Sequence, residues 1–274
     1  MKKSQGNLIS GLDIGSNKIR MVVGQMAVDP SNYLDLQILG AVEYNSEGVY
    51  KGRVNSLEDL VSSISGCLER AERMVGLPID SVWVGVNGAD MMLQTSKGIV
   101  AVSKSNNEIN EEDVSRALEA SRSLATPLNY EILHVLPKKY IVDNQMNIKD
   151  PVGMTGMRLE VDSNIILGSA SQIKNLTKAV YRTGLEIDDL VLSVLACGES
   201  VLTKRQKELG TVVVDFGNST TNLAIFEEGE LLHAAVLPFG SENITNDLAI
   251  GLRVSVEIAE EVKNIRLLDR GTQL

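Results

Sequence analysis

One hairpin occurs twice in this chain, and that repeat constrains the fold more than any other feature. Set side by side without a gap, Leu12–Val23 and Val214–Ile225 place Asp13 on Asp215, Gly15 on Gly217, Met21 on Leu223 and Val23 on Ile225. Each copy reads as a buried strand ending in Asp-x-Gly, a turn of small residues and a second, alternating strand. A lone Asp-x-Gly after an apolar run is most often an ordinary hairpin turn. Two copies with matched flanks suit a further purpose, because such a turn brings consecutive backbone N–H groups against an anion. The strand-end carboxylates, Asp13 and Asp215, are candidates to hold a magnesium ion through water, since Mg²⁺ favours carboxylate oxygens and keeps most of its hydration shell. Two such hairpins facing each other would clamp a polyphosphate between the turns Gly15-Ser16-Asn17 and Gly217-Asn218-Ser219. Lys18 reads either as a solvated turn lysine or as a point cation against phosphate.

At 274 residues the chain favours one large fold or two lobes. Strands are expected at Leu8–Ile14, from Ile19 onward and at Leu36–Val42. A crossover helix opens at Ser56, carries Glu58 and Asp59 in its first turn, stripes Leu57, Leu60, Val61, Ile64, Leu68, Ala71 and Val75, and ends before Gly76. Val82–Val86 is the return strand, and Asn87-Gly88 marks a boundary. The character then changes. Met91–Val102 is strand-rich, Asn110–Ala125 is a capped helix, Ile132–Val142 is a strand interrupted at Pro137, and Leu159–Leu167 alternates again. This stretch reads as an inserted small α/β module. Helices follow at Gln172–Gly184 and Leu192–Thr203, then a charged connection, Lys204–Leu209, strands from Thr211 and a helix at Ser255–Leu267. The expected division is residues 1–88 with 168–203, an insertion at 89–167, and a part at 204–274.

Composition removes several classes. With 43% apolar and 23% charged residues the chain can bury a core. Its formal charge of −10 repels polyanions, so nucleic-acid binding lacks its usual footprint. No run approaches the roughly 20 apolar residues of a membrane span, and Met1–Gly6 is polar, which reads as a cytoplasmic chain. Cys67 and Cys197 lack zinc-site spacing and read as buried thiols; His134 and His233 are too far apart in sequence to suggest a metal cluster or a triad.

A family resemblance rests on these same residues. Gly11-Leu-Asp-Ile-Gly-Ser-Asn-Lys18 resembles the first phosphate motif of the actin, Hsp70 and sugar-kinase superfamily, and Val213-Val-Asp-Phe-Gly-Asn-Ser-Thr-Thr221 resembles its second. Val135-Leu-Pro-Lys-Lys-Tyr, Lys149-Asp-Pro-Val-Gly-Met-Thr-Gly, Gly184-Leu-Glu-Ile-Asp-Asp-Leu, Leu237-Pro-Phe-Gly, Ile244-Thr-Asn-Asp-Leu-Ala and Ala259-Glu-Glu-Val-Lys are similar to segments of the bacterial actin-like FtsA cell-division family. The resemblance covers nearly the whole chain. It implies an α/β actin-like (ribonuclease H-like) ATPase fold with an inserted SHS2-like subdomain, 1C, set into subdomain 1A, and only part of the second lobe. The family continues beyond this point with the rest of that lobe and a C-terminal amphipathic membrane helix, which makes a truncated member the expectation.

The resemblance also implies ATP and Mg²⁺ as cofactors. Asp13, Gly15 and Lys18 would serve the first turn, Asp215, Gly217, Thr220 and Thr221 the second, Gly240 and Asp247 would lie beside the nucleotide, and Glu260 and Lys263 would reach its ribose or base. An ordinary surface ion pair is the equal alternative for Glu260 and Lys263, three apart on one helix. The implied role is a polymerising scaffold, self-associating through the insertion, that tethers the FtsZ ring and other divisome proteins peripherally to the inner face of the cell membrane at the division site. Departures occur in the second motif, with Asn218 and Ser219 in place of consecutive glycines and Asn222 in place of an acidic residue. Side chains there limit how closely backbone approaches phosphate. Other readings stay open: a related PilM-like pilus-assembly scaffold, or a degenerate nucleotide-free binding module. A metabolic kinase would need a substrate-side catalytic Asp that the sequence does not reveal. No catalytic residue is assigned, and at most a weak ATPase is expected. Glu199 reads as a solvated helix-face residue.

Overall fold

The computed structural model describes residues 8–28, 34–88, 90–103, 106–123 and 126–271. Met1–Gly6 and residues 272–274, on which the reading of the termini draws, lie outside them. β1 (Leu8–Ile14), β2 (Lys18–Val28) and β3 (Leu34–Asn45) form an antiparallel meander. A short hairpin, β4 (Val49–Tyr50) and β5 (Arg53–Val54), leads into α1 (Leu57–Val75). Ser56 caps α1 by accepting from the Asp59 N–H, and Gly76 closes it in the left-handed region at φ 73°. The striped face of α1 buries Leu60, Ile64, Cys67 and Ala71 against Leu12, Ile19, Met21 and Val23 of the sheet. Each such fully buried aliphatic side chain contributes about 1.5–3 kcal/mol. β6 (Ser81–Val86) then pairs parallel to β1.

The insertion forms its own antiparallel sheet from β7 (Met92–Ala101), β8 (Tyr130–Val142), β9 (Gln145–Ile148) and β10 (Arg158–Ser169), in the order β7-β10-β8-β9. One helix, α2 (Glu111–Ser121), covers it and is held by a reciprocal cap between Asn110 and Asp113. It ends earlier than expected, and Ala125 lies outside the described residues. β8 is not interrupted at Pro137. Its partner residues step from Asp162 opposite Lys139 to Ser163 opposite Pro137, so a bulge at Lys138 absorbs the missing proline donor and the strand continues.

α3 (Ala170–Arg182) returns the chain to the first sheet, where β11 (Glu186–Leu192) adds parallel to β6 and completes the order β11-β6-β1-β2-β3. This strand is absent from the sequence reading because Glu186, Asp188 and Asp189 mask its pattern. It lies at the sheet edge, where water solvates those carboxylates. The helix expected at Leu192–Thr203 is correspondingly shorter, α4 (Ser193–Val201). The charged connection is itself helical, α5 (Lys204–Leu209), capped reciprocally by Thr203 and Gln206. β12 (Thr211–Phe216), β13 (Thr221–Glu227) and β14 (Glu230–Leu237) repeat the opening meander, and α6 (Ser241–Leu252) and α7 (Val256–Gly271) follow. Val213, Ala224, Phe226 and Leu231 of this second meander share a core with Ile166, Leu192 and Val194.

Candidate functional site: a cleft between two matching turns

The two Asp-x-Gly turns have the same geometry. The Gly15 N–H donates to the Lys18 carbonyl at 3.0 Å, and the Gly217 N–H to the Thr220 carbonyl at 2.9 Å. A Cβ on Gly15 would lie 2.8 Å from the Lys18 oxygen, and one on Gly217 2.8 Å from the Thr220 oxygen. Glycine is required at both positions by that close approach. Neither the Ser16 and Asn17 nor the Asn218 and Ser219 backbone N–H groups have a protein acceptor among the described residues. Four donors are therefore open to a cleft of about 450 Å³ that these turns line. The turns also touch. The Ser16 and Ser219 hydroxyls share a hydrogen bond of 2.5 Å, and the Lys51 N–H of the β4–β5 hairpin donates to Ser219 Oγ at 3.1 Å. Ser219 is 1% exposed as a result.

Asp13 and Asp215 stand at the ends of β1 and β12, as the repeat requires. Asp13 accepts from Ser193 Oγ at 3.0 Å and from Asn87 Nδ2 at 3.4 Å, with Arg20 4.0 Å away. Burial pushes its carboxyl above the usual range. The Ser193 hydrogen bond opposes that shift, and the nearby charge of Asp215 adds to it. Asp215 accepts from Asn222 Nδ2 at 2.9 Å. The amide oxygens of Asn87 and Asn222 are buried without a partner, and both residues line the cleft. Two carboxylates and two orphaned amide oxygens form an oxygen donor set that fits a hard divalent cation. Among the described residues no group of three or more His, Cys, Asp or Glu gathers to hold a metal.

The remaining expected residues divide. Ser16, Asn17, Asn218, Ser219, Thr220 and Glu260 line the cleft with the two aspartates and two glycines. Lys18 lines it too, but its ammonium bonds Asn45 at 3.0 Å and Glu43 at 3.3 Å. Four residues do not line it. Thr221 is turned to the Phe239 carbonyl. Gly240 is pressed behind the second turn, where a Cβ would come within 2.5 Å of the Asn218 oxygen, and the first N–H groups of α6 are spent on the Gly217 and Asn218 carbonyls. Asp247 is exposed on α6. Lys263 is 8% exposed and bonds Thr245 at 2.8 Å, Glu260 at 2.5 Å and the Ser241 carbonyl at 3.5 Å. This joins α6 to α7, so the Glu260–Lys263 pair is no surface ion pair. Burial disfavours ionisation of Glu260, but hydrogen bonds from Lys263 and Thr245 outweigh it and hold the carboxyl below its ordinary range.

Arg20, Asn87, Ser193, Asn222 and Ser241 also belong to this site and were not assigned to it from the sequence. Two of them carried a signal: Arg20 is two residues after Lys18 on the same strand face, and Asn222, noted in the second motif, falls on Arg20 in the repeat. Glu199 is ion-paired to Lys207 at 2.7 Å, away from the cleft. His134 Nε2 accepts from the Leu192 N–H at 3.0 Å, a structural role. Cys67 is buried and Cys197 half-buried, both as free thiols.

A meander ending in Asp-x-Gly, a helical crossover to parallel strands and a second copy of the meander across a cleft define an actin-like ATPase fold. Solved structures share it: the PilM-PilN type IV pilus biogenesis complex matches with a TM-score of 0.67 at 16% identity, covering 93% of this chain and 69% of that one. The ethanolamine utilization protein EutJ from Carboxydothermus hydrogenoformans matches with a TM-score of 0.55 at 15% identity, covering 94% of this chain and 61% of that one. Within that class, the model of the SHS2 domain inserted in FtsA matches residues 88–167, and the model of cell division protein FtsA matches residues 212–269. Cell division protein FtsA of Bacillus subtilis is 42% identical over 260 residues, which is 95% of this chain and 58% of that protein. FtsA of Pseudomonas aeruginosa is 39% identical, over 94% of this chain and 60% of that protein, and FtsA of Escherichia coli 34%, over 96% and 61%. The chain belongs to the FtsA family of cell-division proteins, and it spans about three fifths of the length of these curated relatives. Among the described residues no helix is long and apolar enough to cross a membrane.

Proposed function

We propose that the cleft binds ATP with Mg²⁺, and that the protein is a nucleotide-dependent scaffold of bacterial cell division. The observation that carries this reading is the pairing itself: two identical turns present four open N–H donors to one cleft, with a carboxylate at the base of each. Asp13 and Asp215 hold the cation through water, and the amide oxygens of Asn87 and Asn222 accept from its hydration shell. Mg²⁺ supplies charge neutralisation to the polyphosphate when bound. Ser16, Asn17, Asn218 and Ser219 offer backbone hydrogens to phosphate oxygens, and Arg20, whose Nε bonds Glu43 at 3.1 Å, adds a guanidinium to the lining. Glu260, which also lines the cleft, would accept from a sugar hydroxyl. The proposal includes the subdomain division, with 1–88 and 168–203 as 1A, 89–167 as the inserted 1C and 204–274 as part of 2A. In the whole protein, self-association through the insertion and tethering of FtsZ to the membrane complete the role.

The test is thermal denaturation with and without ATP and Mg²⁺. Ligand at about 100 times its Kd stabilises the native state by roughly 2.7 kcal/mol. The expected result is a rise in Tm that requires both components and is lost in Asp215→Asn. An unchanged Tm at millimolar MgATP would favour the second reading, a nucleotide-free binding module, which draws on the Ser16–Ser219 contact closing the two turns on each other.

A further inference from the structure

A second cavity, sharing no residue with the nucleotide cleft, opens between the inserted sheet and the β13–β14 hairpin. Its volume is about 570 Å³, within the range of small-ligand sites. The insertion contributes Lys97, Lys138, Lys139 and Asp162 to its walls, and the β8 bulge beside Pro137 is what brings Lys138 there. The hairpin contributes Glu227, Glu228 and Glu230. Three lysines against four carboxylates leave the lining with one negative charge in excess.

Two ion pairs already match four of these charges, leaving Lys138, Glu227 and Glu230. Lys139 reaches across to Glu228 at 2.8 Å, and Lys97 pairs with Asp162 on its own sheet at 3.3 Å. The carboxylate of Glu230, a half-buried residue at the start of β14, has neither a hydrogen bond nor an ion pair within 4.0 Å among the described residues. Burial raises its carboxyl above the ordinary range, with Lys139 and Lys138 pulling the other way. Ser163 also lines the cavity, is 1% exposed, and its hydroxyl has no partner. Buried polar groups are almost always hydrogen-bonded, so an orphan lining a cavity marks a place for a ligand's polar group. Leu231 and Leu232 add apolar surface, and Thr95 and Ser96 complete the lining.

A monocation with several donors and flat apolar faces meets all of these demands. Guanidinium is such a group: it forks onto a carboxylate, lies against aliphatic surface and is weakly hydrated compared with an ammonium. We propose that this cavity receives an arginine side chain of a partner protein, its guanidinium seated on Glu230 and donating to Ser163 Oγ. The arginine thereby ties the insertion to the second meander, whose β13 begins at the second Asp-x-Gly turn.

The test is NMR titration of the purified chain with the blocked tripeptide acetyl-Gly-Arg-Gly-amide, with acetyl-Gly-Lys-Gly-amide and free arginine as comparison arms. Saturable shifts of the Ser163, Leu231 and Leu232 amides are expected with the arginine peptide, and weaker ones with the other two. Glu230→Gln should weaken binding about tenfold or more, because a hydrogen bond to a charged group is lost. Ser163→Ala should weaken it by less, and Glu227→Gln, on the exposed rim, should have little effect. Unchanged melting curves of the variants identify them as folded. Absence of saturable shifts at millimolar peptide, or binding indifferent to Glu230→Gln, would overturn the site. Tighter binding of free arginine than of the peptide would overturn the assignment to a partner chain.

Discussion

Replacing Ser219 with alanine removes the one hydroxyl that ties the two Asp-x-Gly turns to each other and to the β4–β5 hairpin. Two contacts are lost, to Ser16 Oγ and from the Lys51 N–H. A typical intramolecular hydrogen bond contributes about 0.5–1.5 kcal/mol net, and stranding a buried donor costs about 1–3 kcal/mol. The substitution should therefore destabilise the chain by about 1–3 kcal/mol, lowering Tm by roughly 2–12 °C at 2–4 °C per kcal/mol. Ser16→Ala removes only the shared hydroxyl contact and leaves Ser219 with Lys51, so its cost should be at the lower end, about 0.5–1.5 kcal/mol. The assay is thermal and urea denaturation of both single variants and the double variant. Because the two residues touch, the cycle should show a coupling of at least about 0.5 kcal/mol. Additive effects, or a Ser219→Ala cost no larger than that of Ser16→Ala, would refute the tie. Ser219→Gly with Asn218→Gly should also tighten MgATP binding, since backbone donors then approach phosphate without intervening side chains. Weaker binding would show that the turn meets phosphate in another way.

Asp13→Asn should raise the Tm of the nucleotide-free chain while abolishing its response to MgATP. The folded pKa of Asp13 is raised, so its ionisation disfavours the native state once pH rises above the unfolded value, and neutralising it removes that penalty. A lower Tm would refute this. Asp113 behaves oppositely: burial works against its ionisation, but hydrogen bonds from Ser103, Arg116 and the Asn110 N–H hold its carboxyl at about 2. Its contribution is present above about pH 4 and lost as pH falls toward 2, so urea midpoints of wild type and Asp113→Asn should converge over that interval. Persistence of their full difference at pH 2 would contradict the assignment. Cys67, fully buried with its thiol pushed up to about 11 by burial, should resist alkylation in the native state, and half-buried Cys197 should react first. Mass spectrometry of partially labelled protein checks the order.

The sequence by itself determined the features whose causes are local. Matched strand–turn–strand segments are legible because alternation, Asp-x-Gly and small turn residues act within a dozen positions. α1 is legible because its stripe, its Ser56 cap and its Gly76 terminus all lie along one run. β11 was illegible because edge solvation permits Asp188 and Asp189 where a buried strand would exclude them, and whether a strand lies at an edge depends on the rest of the sheet. The bulge at Lys138 likewise exists only against β10. Within the cleft, the carboxylates and glycines could be named from their repeat, but their partners could not. Ser193 is 180 residues from the Asp13 it bonds, and Ser219 is 203 residues from Ser16. No periodicity or spacing spans such distances, since a hydrogen bond forms wherever packing brings a donor to an acceptor. Tertiary structure also decided what the Glu260–Lys263 pair, neighbours on one helix turn, does: both side chains bond Thr245 of α6, which buries the ammonium in the α6–α7 junction while Glu260 also lines the cleft, because burial of each depends on which face of α7 meets α6.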